Sequence, residues 1–206
     1  MINKIHYISD GDTPQEQLYH IEAVLAAGQK WVQYRFKSAT KTTLWNTAEQ
    51  VKKLCEQYNA TLIINDHVDL AKAIDADGVH LGLNDMTIKC ARQIIPNKII
   101  GGTTNTFEDI LLRHRESCDY IGLGPYQFTQ TKKNLSPVLG LTGYNKLITQ
   151  TKALGINIPI IAIGGIQLED VGALKQMGVD GIAISGLLQH INDKPMLIKQ
   201  LNNLLS

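Results

Sequence analysis

The chain has 206 residues, 44% of them apolar and 19% charged, an ordinary make-up for a globular enzyme and enough chain to bury about 70% of its unfolded surface. Twenty basic against 19 acidic side chains leave a net charge of +1, which argues against a nucleic-acid-binding surface but leaves room for a local basic pocket. No run approaches the ~18–20 apolar residues of a membrane span, the opening MINKIHYISDGD turns acidic too early for a signal peptide, and Cys55, Cys90 and Cys118 lack ligand spacing, so reduced thiols in a cytoplasmic protein are expected.

Short β-branched runs alternate with amphipathic stretches along the whole chain. The expected strands are Lys4–Ser9, Trp31–Arg35, Thr61–Ile64, Gly78–Leu81, Ile99–Gly101, Tyr120–Leu123, Ile160–Ile163 and Gly181–Ile184. The clearest helical stretches are Gln15–Ala27, Lys41–Tyr58, Phe107–Glu116, Asn145–Leu154, Leu168–Met177 and Lys194–Leu205. Within Leu168–Met177, the residues Leu168, Val171, Leu174 and Met177 share one helical face. Strand–helix alternation implies right-handed βαβ units and a parallel sheet. Eight such units in a chain of this length predict an α/β fold, a single-domain (β/α)8 TIM barrel over residues 1–206. An open doubly wound sheet would call for a glycine-rich turn after the first strand, and Ser9-Asp10-Gly11-Asp12 is not that fingerprint. Asp75-Ala76-Asp77-Gly78-Val79 and Gly178-Val179-Asp180-Gly181-Ile182 read as turns at the bottom of the barrel, with a structural role.

The polar residues with chemical potential cluster where strands end. In VQYRFK the strand period sets Val32, Tyr34 and Phe36 on one face and Gln33, Arg35 and Lys37 on the other. Helices cover the outside of such a barrel, so the polar set is expected in the upper lumen, where unpaired Arg and Lys are costly. A bound phosphate or diphosphate satisfies them, Arg as a fork and Lys as a point charge. LIIND ends in Asn65 and Asp66, either of which is a good helix cap. Asp85, on the next strand's loop, favours a second reading: two carboxylates on adjacent loops suit magnesium, which takes one or two protein carboxylates with phosphate oxygens and waters.

After the sixth strand, GLGPYQFTQTKK opens a long loop carrying Thr129, Thr131 and Lys132, suited to covering phosphates. Gly164-Gly165 and Ser185, after strands seven and eight, fall where these barrels bind phosphate, although Gly-Gly is also common in turns. His6 and His80 read as satisfied core residues; His20, His114 and His190 as surface helix residues; and His67 as a neighbour of the rim. No Cys/His cluster suggests zinc.

Together QYRFK, LIINDHVDLA, ADGVHLGLND, DYIGLGPYQFTQTKK, IPIIAIGGI and GVDGIAISGLL resemble the thiamine phosphate synthase (thiamine-phosphate pyrophosphorylase) family through almost the whole chain. The resemblance implies a transferase that joins a pyrimidine diphosphate to a thiazole phosphate, releasing diphosphate through a dissociative, Mg2+-assisted reaction. It implies pyrimidine-diphosphate contacts from Gln33, Arg35, Lys37, Asn65 and Lys132, and magnesium on Asp66 and Asp85. Thiazole-phosphate contacts fall to Thr129, Thr131, Gly165, Ile184 and Ser185. Arg35, Lys37, Thr103 and Lys132 are the expected catalytic set. Thr103 stands where the family has serine, Asn105 where histidine is common, and Phe36 where an acidic residue is usual. The expected partners are the two small-molecule substrates, with no nucleic acid or membrane and room for a homo-oligomer. Rival expectations are a TenI-like thiazole tautomerase, which uses a histidine near the Asn105 position, and a non-catalytic phosphate-binding barrel.

Overall fold

The computed structural model describes residues 3–129 and 136–206. The strands are β1 (Ile5–Ile8), β2 (Trp31–Tyr34), β3 (Thr61–Asn65), β4 (Gly78–Leu81), β5 (Ile99–Thr104), β6 (Tyr120–Leu123), β7 (Ile160–Ile163) and β8 (Gly181–Ile184). They pair in parallel and in chain order, β8 closing on β1, into a barrel. Between them run α1 (Pro14–Ala26), α2 (Lys41–Gln57), α3 (Val68–Ala73), α4 (Ile88–Ile94), α5 (Phe107–Arg115), α6 (Gly140–Ala153) and α7 (Val171–Met177), with α8 (Gly186–His190) and α9 (Lys194–Leu205) after the last strand. The expected TIM barrel is the observed fold.

Local chemistry explains where helices begin. Thr13 and Thr106 each form a reciprocal capping box, with Glu16 and Asp109, and Pro14 holds the first helical position of α1. Thr40 and Thr87 cap α2 and α4 through their hydroxyls. The expected helix Leu168–Met177 divides into a 3-10 turn at Leu168–Asp170 followed by α7. Helix α6 begins earlier than expected, at Gly140.

The core is split by the barrel wall, as the strand period requires. Val32, Tyr34, Leu62, Ile64, Ile121, Ala162 and Ile182 point outward into one large cluster with the helices. Trp31, Ile63, Tyr120, Ile161 and Ala183 point inward and plug the lumen. His6 joins this plug, its ring stacked on Trp31 at 3.8 Å between centroids. The bottom turns also show why their acids are needed. Asp77, Asp119 and Asp180 each accept the first free amide of a neighbouring strand, from Leu62, Ile100 and Ile160 at 2.7, 2.7 and 2.8 Å. These bonds satisfy edge amides that would otherwise be orphaned beneath the barrel. With its floor filled by aromatic rings, the barrel has room for a ligand only above them, at the carboxyl ends of the strands.

Candidate active site

A cavity of about 1080 Å³ opens at that end, bordered by residues from several strand ends. Gln33, Arg35 and Lys37 enter it from β2 and the loop beyond, while Phe36 packs outward in the helix-side cluster. The alternation expected of VQYRFK is therefore realised. The Gln33 amide donates to Asn65 Oδ1 at 2.7 Å, coupling the ends of β2 and β3. The backbone of Arg35 is held on both sides: its N–H donates to Ser9 Oγ at 2.9 Å, and its carbonyl accepts from the buried Gln17 amide at 3.1 Å.

Asp66 does not cap α3. The cap position belongs to His67, which makes no side-chain capping bond. Asp66 instead adopts a left-handed backbone, φ 64°, with its N–H donating to the carbonyl of His80 at 2.9 Å. This turns its carboxylate toward the cavity, where it pairs with Lys37 and hydrogen-bonds to Asp85. Burial raises the pKa of Asp66; the Lys37 ammonium opposes that shift and Asp85 reinforces it. Asp85 goes the other way. Burial works against its ionisation, but hydrogen bonds from Asp66 and from the Gly82 N–H, the latter at 2.7 Å, outweigh it and bring its pKa down. Two carboxyl groups thus face each other at a place where a cation would serve both.

Across the mouth lie Gly164, Gly165, Ile184 and Ser185. Gly165 has φ 68°, and a Cβ there would meet Phe128 O at 2.7 Å, so the residue must be glycine for packing as well as for close approach by a ligand. The side chain of Ile184 belongs to the helix-side cluster, which leaves its backbone to border the cavity. Ser185 Oγ is buried without a hydrogen-bond partner, a cost that a bound oxyanion would remove. Thr129 reaches the cavity's edge. Thr131 and Lys132 lie outside the described residues.

Of the two strand histidines, His80 is satisfied as expected and His6 is not. His80 is largely buried, and its ring nitrogens meet Tyr120 Oη and Thr103 Oγ1, both at 3.1 Å, yet it also lines the cavity. It pairs in register with Asn65 on β3, so both side chains face the lumen. His6 was expected to be satisfied, but its Nε2 is buried without a partner. His190, assigned to a surface helix, is exposed but stands at the edge of the cavity. Asn105 does not line it. Its amide donates to Gly124 O and Pro137 O, each at 2.9 Å, spanning the two stems of the loop after β6.

Comparison with known proteins shows the family of the chain. Residues 5–188 match the family model described as thiamine monophosphate synthase. A protein of Flavobacterium psychrophilum named thiamine-phosphate synthase is 55% identical over 203 residues, covering 98% of each chain. One of the same name from Bacteroides fragilis is 49% identical over 181 residues, covering 87% of this chain and 89% of that protein. Among solved structures, thiamine phosphate pyrophosphorylase from Pyrococcus furiosus superposes with a TM-score of 0.82 at 30% identity, over 98% of this chain and 95% of that one. A 3-hexulose-6-phosphate synthase superposes at 0.70 with 15% identity, a likeness of fold alone. Barrel and relatives converge: the chain belongs to the thiamine monophosphate synthase family.

Proposed function

We propose that the chain joins 4-amino-2-methyl-5-(diphosphomethyl)pyrimidine to a thiazole phosphate, yielding thiamine phosphate and diphosphate. The observation that carries this reading is the grouping of Arg35, Lys37, Asp66 and Asp85 around one mouth, with the unpartnered Ser185 hydroxyl on the same cavity. The names borne by the relatives support it. One domain spanning residues 1–206 and a cytoplasmic location belong to the same reading. The cysteines Cys55, Cys90 and Cys118 are free, and no helix among the described residues is long and apolar enough to cross a membrane.

In this mechanism Arg35 and Lys37, with Lys132 from the loop after β6, hold the diphosphate and stabilise the charge that grows as it departs. Gln33 and Asn65 orient the pyrimidine end, and Thr103 offers a hydroxyl at the same level. Thr129, Thr131, Gly165, the Ile184 backbone and Ser185 hold the thiazole phosphate, so that the thiazole nitrogen meets the pyrimidine methylene carbon. No protein nucleophile is required; positioning and fixed charge carry the acceleration.

Asp66 and Asp85 would hold magnesium. Two hydrogen-bonded carboxyl groups on adjacent loops fit that ion, whose other ligands are phosphate oxygens and waters. Among the described residues no group of three or more His, Cys, Asp or Glu is placed to hold a metal. When bound, magnesium supplies positive charge to the leaving diphosphate.

The tautomerase alternative is disfavoured because the residues expected to clamp a diphosphate, Arg35, Lys37, Asp66 and Asp85, all border the one cavity. Diphosphate release, measured with both substrates with and without magnesium, tests the proposal. Release should require both substrates and fall by orders of magnitude under chelation. Brisk thiazole isomerisation without diphosphate release would show the reading to be wrong.

A further inference from the structure

Arg113 on α5 is a buried cation for which the proposed reaction has no direct use: its side chain is only 4% exposed, and it pairs with Glu116 at 3.1 Å. A helix-surface ion pair needs no burial, so the other arms of the guanidinium must account for its place. Nη2 donates to Gly82 O at 2.9 Å, and Nε donates to Thr103 O at 3.4 Å. Gly82 is the residue whose N–H is bound by Asp85 Oδ2, at 2.7 Å. The chain makes room for this arrangement with glycines. A Cβ on Gly102 would lie 2.8 Å from Arg113 Nε, and one on Gly82 would lie 2.7 Å from Asp85 Oδ2.

We propose that Arg113 is a positioning residue for the metal carboxylate. It holds the Gly82 carbonyl while Asp85 accepts the N–H of the same residue, so the peptide units on both sides of the Gly82 Cα are fixed, and it also holds the Thr103 carbonyl in the next strand. Because one rigid fork holds both carbonyls, it sets Asp85 and Thr103 at a common height at the mouth. The inference rests on the function proposed above and adds a chain-specific support for magnesium.

The test compares wild type with Arg113→Met and Arg113→Lys. Magnesium binding is measured calorimetrically in the presence of inorganic diphosphate, alongside kcat, KM and the magnesium concentration for half-maximal turnover. Loss of a residue that orients a metal ligand weakens metal binding by about ten- to a hundredfold. Arg113→Met should show a loss of that size, with excess magnesium restoring most of the turnover. Arg113→Lys should fall between, since one ammonium cannot hold both carbonyls. As a control for stability alone, Leu197→Ala on α9, a buried residue that does not line the cavity, should lower the melting temperature and leave magnesium affinity unchanged. Wild-type magnesium affinity in a folded Arg113→Met protein overturns the inference, and if that variant does not fold, wild-type affinity in Arg113→Lys does so equally. A wild type that neither binds magnesium with diphosphate nor releases diphosphate would instead overturn the proposed function itself.

Discussion

His6 illustrates how a single residue in the barrel plug can shape stability. Its imidazole stacks on Trp31, lies edge-on to Tyr120 and leaves Nε2 without a partner. Burial, reinforced by the nearby His80, holds its pKa well below the ordinary 6.5. The folded protein therefore keeps His6 neutral where the unfolded chain takes up a proton. Stability is unaffected by His6 above the unfolded value and is lost as pH falls below about 6.5, at about 1.4 kcal/mol per pH unit for one proton. Replacing His6 with Phe preserves a flat ring against Trp31 and removes both the titration and the orphaned nitrogen. Denaturant unfolding of wild type and His6→Phe between pH 7.5 and about 5 should show the wild type losing stability faster by about that slope. Parallel stability curves for the two proteins would mean that His6 is not held neutral.

At the scale of elements, the loop after β6 is tied down by its neighbours. Tyr126 N–H donates to Ile163 O, Gln127 N–H to Gly164 O, Leu139 N–H to Pro125 O and Gly140 N–H to Tyr126 O, at 2.8–2.9 Å. Asn105 at the end of β5 closes the arrangement by holding Gly124 O and Pro137 O. Asn105→Asp keeps the shape but sets a carboxylate against two carbonyls, forfeiting about 2–3 kcal/mol of hydrogen bonding in total. Amide exchange at Tyr126, Gln127, Leu139 and Gly140 should accelerate, and KM should rise while the melting temperature of the barrel changes little. Unchanged protection at those four amides would remove Asn105 from this role. Its asparagine was visible in the sequence as a departure from the family, but its use was not, because both carbonyls come from distant segments. The same reason hid Arg113, which looks like a surface residue until Gly102 and Gly82 are known to face it. Strand β5 runs to Thr104, beyond the expected Gly101, because Gly101-Gly102 reads as a break in a strand when each glycine in fact makes room, one for the Tyr120 ring and one for Arg113. By contrast, the barrel and the placing of Gln33, Arg35 and Lys37 on one face, toward the cavity, were legible because a two-residue period and strand order are local properties that survive folding.

The mouth of the molecule as a whole has two unlike sides, which the proposed function gives to two unlike anions. On one side Arg35 and Lys37 stand beside the carboxyl groups of Asp66 and Asp85; on the other, Ser185 and Gly165 offer a neutral hydroxyl and a close backbone. Two substrates with different charge would be sorted by this asymmetry: a diphosphate with its metal to the cationic side, a monophosphate to the neutral side. Each ligand should stabilise the fold in proportion to its affinity. Removing a bond to phosphate costs about 1.5–3 kcal/mol, roughly ten- to a hundredfold in affinity, whether the donor is a guanidinium or a hydroxyl, because the acceptor is ionised. Arg35→Ala should therefore lose most of the thermal stabilisation given by the pyrimidine diphosphate with magnesium, yet keep that given by the thiazole phosphate. Ser185→Ala should show the reverse pattern, with little change in the ligand-free melting temperature, since Ser185 Oγ has no partner to lose. Melting curves of both variants with each ligand separately give four comparisons. If Arg35→Ala and Ser185→Ala weaken both ligands equally, the two sides of the mouth do not act as separate sites, and the assignment of one substrate to each side fails.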